Sequence, residues 1–336
     1  MNLIDLPKLK KRIVSFDNVL IVAHIDPDPD TLGSALGLKK IFEKLGKTSY
    51  VACDTAVSGR ICSFFEISPN LDLEFIKAPD FAPERIICVD AAAISQIGAY
   101  GKYYSEDFSK NKIDLVIDHH YTNSLYGKEN YIDEKASATG EIIYDLALEC
   151  GVEIDPGFAK DVYCAIICDS GSFGYSSTTP KTMATASKLM ETGFDFAKLN
   201  RLVFQTKTKT QIAMERLAYN SLKFYAGGKI AVIAITNEAK KNAGLEGAEI
   251  EGINEIARTA EGVEVGATIK ETEMKENQEA KEFKISLRSN EYANVAKIAE
   301  QYGGGGHMKA AGCKVSGYCE AEILERELVE KITGIL

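Results

Sequence analysis

Residues 18–46 read NVLIVAHIDPDPDTLGSALGLKKIFEKLG. The opening NVLIVAH (18–24) is a β-type apolar run. From Thr31 onward the apolar residues fall at 32, 35, 36, 41, 42 and 45, a helical spacing, and Gly46 suits a helix stop. Between strand and helix lies His24-Ile25-Asp26-Pro27-Asp28-Pro29-Asp30, one imidazole and three carboxylates in seven residues. A capped, solvated turn explains part of this, since Asp30 or Thr31 can cap the helix and prolines suit loops. It does not explain the charge density. Uncompensated carboxylates this close repel one another, so bound cations are the simpler reading. The two prolines stiffen the loop and can aim alternate carboxylates inward.

The same strand-to-helix rhythm continues on either side. TSYVAC (48–53), RIICVD (85–90) and IDLVID (113–118) are strand candidates, and 138–150 and 157–168 read as helices. The alternation predicts an α/β fold with a mainly parallel sheet. Ligands of such sheets bind beyond the carboxyl ends of the strands. Three strands end there in His24, Asp90 and Asp118. Two further elements belong to the same constellation: Asp118-His119-His120, and Cys168-Asp169-Ser170-Gly171-Ser172-Phe173. Taken singly, the first is equally a structural turn and the second equally a helix end. The chain has only four histidines, at 24, 119, 120 and 307, and the first three lie beside clustered aspartates.

Downstream, 196–221 reads as a polar, mostly helical connector. KIAVIAIT (229–236), VEVGATIKE (263–271) and KEFKISLRS (281–289) return to strand character, and 270–282 suits an exposed hairpin turn. The expected layout is a first domain at 1–195, a helical linker at 196–219 and a smaller α/β domain at 220–336.

Composition narrows the class. The chain has 336 residues, enough for two cores, with an ordinary 45% hydrophobic and 26% charged content. Its net charge is −10, from 39 basic and 49 acidic residues. A coat for long nucleic acid usually carries a basic excess, so any nucleotide should be handled in a local pocket without a long nucleic-acid track. Eight cysteines, at 53, 62, 88, 150, 164, 168, 313 and 319, form no CxxC pair. That argues against a zinc ribbon and for reduced thiols in a cytoplasmic protein. No apolar stretch approaches the roughly 18 residues of a membrane span, and MNLIDLPKLKKRIV reads as a first helix, not a signal peptide.

Gly303, Gly304, Gly305 and Gly306 precede His307. A flexible loop is the bland explanation. The alternative is that these glycines let backbone N–H groups approach phosphate oxygens, with Arg288 and His307 adding charge-assisted bonds. Lys309 and Lys314 are weaker candidates. The run is not GxGxxG after a first strand, so a dinucleotide fold is poorly supported.

Together these segments resemble the DHH superfamily of phosphoesterases. HIDPDPD, VDAA (89–92), DHH and CDSGSF occur in the family's order, and ISLRSN (285–290) with YGGGGHMKAAG (302–312) is similar to the signature of its DHHA1 partner domain. The subgroup it most resembles is the nanoRNase/pAp-phosphatase type. The resemblance implies an N-terminal parallel-sheet DHH domain and a smaller C-terminal DHHA1 domain that binds substrate. It implies two divalent metals, Mn²⁺ foremost with Mg²⁺ or Co²⁺ as alternatives. His24, Asp28 and Asp90 would hold one, and Asp30, Asp90, His119 and Asp169 the other, with Asp90 bridging. Asp118 would orient the imidazoles, and His120 would contact the substrate phosphate as a candidate proton donor. A mixed imidazole and carboxylate set without thiolate suits such metals. The implied substrates are short oligonucleotides or small nucleotides, among them 3′-phosphoadenosine 5′-phosphate. A cyclic or linear dinucleotide phosphodiesterase and a non-catalytic nucleotide sensor are the rivals, and a homodimer is left open. Three positions depart from the subgroup's habit: Asp26 for Asn, Pro29 for Gly and Gly174 for Arg. The last removes one expected phosphate contact.

Overall fold

The structure, a computed structural model, describes residues 2–67, 83–100, 113–248, 252–272 and 281–336. The tip of the hairpin turn expected at 270–282, residues 273–280, lies outside the described residues.

The opening run forms β1 (Val19–Val22), with every residue buried. It is joined by β2 (Ser49–Ala52), β3 (Arg85–Val89), β4 (Leu115–Asp118) and β5 (Glu129–Ile132). The sheet order is β2-β1-β3-β4-β5, and every pairing is parallel. The chain leaves β1 toward β2 on one side and returns to β3 on the other. Strand order therefore reverses between β1 and β3, where doubly wound sheets place their ligands. Register aligns Val22 with Cys88 and Cys88 with Val116. His24, Asp90 and Asp118 each lie two residues further on, so the parallel register carries them to one edge.

Helix Pro29–Lys44 starts as its sequence demands. Asp28 is the N-cap and accepts from Thr31 N–H at 3.0 Å, and Pro29 occupies the first turn. The cap is thus Asp28, and neither Asp30 nor Thr31 is used for it. Helix Pro156–Asp169 repeats the device with Asp155 and Pro156. The two helices meet almost backbone to backbone: a Cβ on Gly33 would lie 2.5 Å from Asp161 O, and one on Gly37 would lie 2.9 Å from Val162 Cγ2. Any larger residue at 33 would drive apart the helices that carry Asp30 and Asp169.

The described residues form two compact units, Met1–Thr206 and Lys207–Leu336. Residues 196–219, read as a connector, are shared between them. Leu199 and Val203 belong to the first core, whereas Met214 and Ala218 on helix Lys209–Ser221 pack in the second. The second unit is built on a mixed six-stranded sheet of β6 (Lys223–Tyr225), β7 (Ile230–Ile235), β8 (Val265–Glu271), β9 (Glu282–Ser289), β10 (Gly305–His307) and β11 (Ala310–Ser316), in the order β10-β11-β9-β8-β7-β6. Only β7 and β8 run parallel. One face buries Val265, Ile269, Phe283, Ile285 and Leu287 with Leu324, Leu328 and Ile332 of helix Ala321–Thr333. On the other face Ala231, Ile233 and Ile235 are covered with Met214, Ile253 and Ile256. No helix of the described residues is long and apolar enough to cross a membrane.

Candidate metal centre and active site

The first unit gathers six side chains at the edge beyond β1, β3 and β4. His24, Asp28 and Asp90 form one group whose candidate ligand atoms lie within 4.8 Å of one another, Asp30, His119 and Asp169 form a second, and Asp90, Asp118, His119 and His120 form a third that overlaps both. Asp90 faces both. Its Oδ2 is 3.9 Å from His24 Nε2, and its Oδ1 is 3.6 Å from His119 Nε2. His119 Nε2 is also 3.5 Å from Asp169 Oδ2 and 3.8 Å from Asp30 Oδ2, and His24 Nε2 is 3.8 Å from Asp28 Oδ2. Ligands held at about 2.1 Å from one small dication would sit roughly 3.0–3.5 Å apart, so a slight contraction completes a coordination shell. The donors are imidazole nitrogens and carboxylate oxygens, the set that divalent cations of intermediate hardness take. This cluster can hold metal ions.

The imidazoles are prepared for that task. His24 Nδ1 lies 2.7 Å from Ile25 O, and His119 Nδ1 lies 3.2 Å from Ala136 O. A carbonyl only accepts, so each Nδ1 donates. In the neutral ring that leaves the Nε2 lone pair facing the carboxylate cluster, the tautomer a metal ligand needs. His120 is held differently. Its Nδ1 donates to Asp118 Oδ1 at 2.8 Å. That bond, with the surrounding carboxylates, raises its pKa to about 9 against the opposing effect of burial, which favours the protonated ring while those carboxylates carry no cation.

Asp118 therefore orients one imidazole and not both. Its Oδ1 also accepts the backbone N–H groups of His119 and His120, and its Oδ2 accepts from Asn123 Nδ2 at 2.6 Å. His119 is aligned by a backbone carbonyl instead. Asn123 was missed in the sequence reading because a lone asparagine in a loop carries no pattern.

Two more supports were missed. Asp30 is fully buried and lies at the N-terminus of helix Thr139–Cys150, accepting from Thr139 N–H at 2.8 Å and Gly140 N–H at 3.0 Å. That helix has no side-chain cap of its own, so Asp30 satisfies its free donors from about 110 residues away in sequence. Asp90 accepts from the hydroxyls of Thr31 at 2.6 Å and Thr139 at 2.9 Å. It also holds φ +55°, a left-handed conformation uncommon for a side-chain-bearing residue. The SATGE run (137–141) reads as an ordinary helix start, and nothing local marks Thr139 as a partner of Asp90.

Charge at the cluster is unbalanced without cations. Burial, followed by the fields of Asp90, Asp169 and Asp28, pushes the Asp30 carboxyl well above its usual range. Burial and Asp28 raise Asp90, and burial raises Asp169 to about 6. Burial disfavours the cationic form of His24, but its bonds to Asp28 and Ile25 outweigh this and raise it. Asp169, raised in the fold, stabilises it when protonated, and that contribution is lost as pH climbs through about 6; Asp30 and Asp90, also raised, act in the same direction. The His120 contribution is present below its unfolded value of 6.5 and is lost as pH climbs toward about 9. Asp28 and Asp118, lowered by their histidine partners against the effect of burial, contribute fully above about pH 5. The metal-stripped protein should therefore melt at a lower temperature near pH 8 than near pH 5.5, and Mn²⁺ should restore the midpoint most at the higher pH. A melting temperature that rises over this range in chelator, followed calorimetrically, would contradict this electrostatic account.

In the second unit, Arg288 and His307 occupy one row of the sheet. Arg288 on β9 is in register with Ala310 on β11, and Ala310 with His307 on β10. Directly opposed residues share a sheet face, so the guanidinium and the imidazole stand on one side with only a methyl group between them. The glycine run is not a loop throughout. Gly305 and Gly306 belong to β10, and the four glycines have different reasons to be there. Gly303 and Gly306 hold φ +72° and +147°. A Cβ on Gly304 would lie 2.3 Å from Gly312 O, and one on Gly306 would lie 2.5 Å from Ala310 O. Gly305 has neither constraint, and nothing lies within 4 Å of where its Cβ would be. Gly304→Ala should cost about 1–3 kcal/mol of stability through overpacking, while Gly305→Ala should leave the melting temperature near wild type. Equal losses in thermal melts of the two variants would refute this division.

Comparison with known proteins supports the geometry. The DHH family N-terminal domain is matched over residues 18–166 and the DHHA1 domain over 227–335. A probable bifunctional oligoribonuclease and PAP phosphatase NrnA of Streptococcus mutans is 29% identical over 94% of this chain and 96% of its own length. The bifunctional oligoribonuclease and PAP phosphatase NrnA of Thermus thermophilus is also 29% identical, over 92% and 88%. The crystal structure of an exopolyphosphatase-related protein from Bacteroides fragilis shares the fold, with a TM-score of 0.83 at 23% identity over 97% of this chain and 95% of that one. With both domain types matched in order and the His/Asp cluster assembled in the first, the chain belongs to the DHH phosphoesterase family, a DHH domain followed by a DHHA1 domain.

Proposed function

We propose that this protein is a two-metal phosphodiesterase of very short oligonucleotides, acting also on 3′-phosphoadenosine 5′-phosphate, in the cytoplasm. The observation that carries the two-metal reading is the orientation of Asp90, whose two oxygens face different imidazoles. His24, Asp28 and Asp90 would hold one ion, and Asp30, Asp90, His119 and Asp169 the other, with Mn²⁺ suited best to the mixed donor set. Such a pair supplies an activated water at neutral pH and neutralises charge on the phosphoryl group.

The chain's own residues do the rest. His120, held through Nδ1 by Asp118, would bond a phosphate oxygen and pass a proton to the departing ester oxygen. Arg288 and His307 grip a phosphate of the nucleotide, and Gly305 gives that phosphate room to approach the backbone. The cytoplasmic assignment is supported by eight free cysteines. The substrate class is supported by the names of the Streptococcus and Thermus relatives. A cyclic-di-AMP phosphodiesterase GdpP of Bacillus subtilis, 26% identical over 95% of this chain and only 48% of its own length, supports cyclic dinucleotides as the second reading.

One experiment tests these together. Activity should vanish on chelation and return best with Mn²⁺. Turnover should fall across a length series from two to about 24 nucleotides, because a local site in an acidic chain offers no extended track. Full activity after verified metal removal, or fastest turnover of the longest member, would refute the proposal. Preferential hydrolysis of a cyclic dinucleotide over 3′-phosphoadenosine 5′-phosphate and linear dimers would favour the second reading.

A further inference from the structure

Arg288 is not a free cation. Its Nε donates to Glu255 Oε1 at 3.1 Å, and its Nη1 donates to Leu287 O at 3.1 Å. The other oxygen of Glu255 accepts from Arg258 Nε. Arg258 is itself anchored, with Nη1 3.3 Å from Asn290 Oδ1. Asn290 donates in turn to Arg258 O and Val263 O at 2.9 Å and 2.7 Å. Glu255 thus sits between two guanidinium groups on a short helical turn, Ile253–Arg258, whose Ile253, Ile256 and Ala257 are buried. The close packing of that turn on the sheet is enforced at Gly266, where a Cβ would lie 2.8 Å from Arg258 N. Gly266 is the β8 residue in register with Arg288.

We infer that Glu255 is the positioning residue for Arg288, holding its guanidinium by the Nε side and leaving Nη2 and the second Nη1 hydrogen for a substrate phosphate. This rests on the reading of Arg288 as a phosphate ligand. An arginine side chain loses much rotamer freedom when it is fixed, and fixing it before the ligand arrives removes that cost from binding. A carboxylate beside an anion site is unfavourable by itself. Here Arg258 offsets it, because two guanidinium groups around one carboxylate leave one net positive charge facing the ligand. The arrangement therefore favours a positioning role over a competing one, and the two roles differ in the sign of the mutational effect.

The test uses the intact metal-loaded protein and a 5′-phosphorylated adenylate dinucleotide, with steady-state rates for Glu255→Ala, Glu255→Gln, Arg288→Ala and the Glu255→Ala/Arg288→Ala double variant. Glu255→Ala should raise KM about tenfold with kcat changed by less than about twofold, since an ordering cost for one long side chain enters binding. Glu255→Gln, which keeps an acceptor but loses the charge, should raise KM about threefold. The double variant should be no worse than Arg288→Ala alone, because Glu255 has nothing left to position. A lowered KM in Glu255→Ala would show that the carboxylate competes with substrate and would overturn the inference. So would a full additional loss in the double variant, or a wild-type KM in both single Glu255 variants. If Arg288→Ala itself behaves as wild type, the phosphate-ligand reading fails first, and the inference falls with it.

Discussion

Asp90→Asn should reduce phosphodiester turnover by at least about 10³-fold, the largest effect of any single ligand change. The reason is geometric. His24 and Asp28 fall on one side of the cluster and Asp30, His119 and Asp169 on the other, whereas Asp90 presents Oδ2 to the side of His24 and Oδ1 to the side of His119. Losing its charge would weaken both proposed ion sites at once. Asparagine is the better substitution because Asp90 holds φ +55°, which asparagine tolerates and alanine does not. It also keeps one oxygen to accept from Thr31 or Thr139. Metal content is the companion measurement. Two ions bound with near-normal kcat would show that Asp90 does not bridge.

Arg288→Ala should lower kcat/KM on nucleotide substrates about 30- to 1000-fold. Loss of a charge-assisted phosphate contact is worth on the order of 2–4 kcal/mol of transition-state stabilisation. The proposed metal ligands all precede residue 170, whereas Arg288 and His307 belong to the second unit. The loss should therefore be far smaller on a small activated diester that has no nucleotide to hold. His307→Ala should show the same pattern more weakly, and the double variant should lose less than the sum if both groups grip one phosphate. Equal damage to both substrates, with two metals retained and the fold intact, would place Arg288 in the chemical step.

Much of this was readable without a structure. The strands at 18–24, 48–53, 85–90 and 113–118 and the helices near 138–150 and 157–168 all exist within a residue or two. They are legible because each is long or apolar enough for its own periodicity to show. Strands β5, β6, β10 and β11 were missed, the last because Ala310–Ser316 opens on small residues beside the glycine run. Glu129–Ile132 is short and half polar, Lys223–Tyr225 is a three-residue edge, and Gly305–His307 has no apolar pattern. Such strands exist because a neighbour offers hydrogen-bond partners, and nothing in their own composition announces them.

The same line divides the site. His24, Asp28, Asp30, Asp90, His119 and Asp169 could be named from sequence because rare residue types crowd beside strand and helix ends. The sequence alone determined the chemistry available, an acid and imidazole cluster that can hold cations, and the parallel α/β frame that brings it to one edge. Tertiary structure decided how each group is used. It placed Asp30 on the free N–H groups of a helix 110 residues onward, gave Asp90 two threonine hydroxyls, and assigned Asp118 to His120 instead of His119. It also tied Arg288 to Glu255 and left only Gly305, of four glycines, unconstrained by its surroundings. Ligand identity follows from side-chain chemistry, which is local. Orientation, burial and protonation follow from partners distant in sequence, which only the folded packing brings within hydrogen-bond reach.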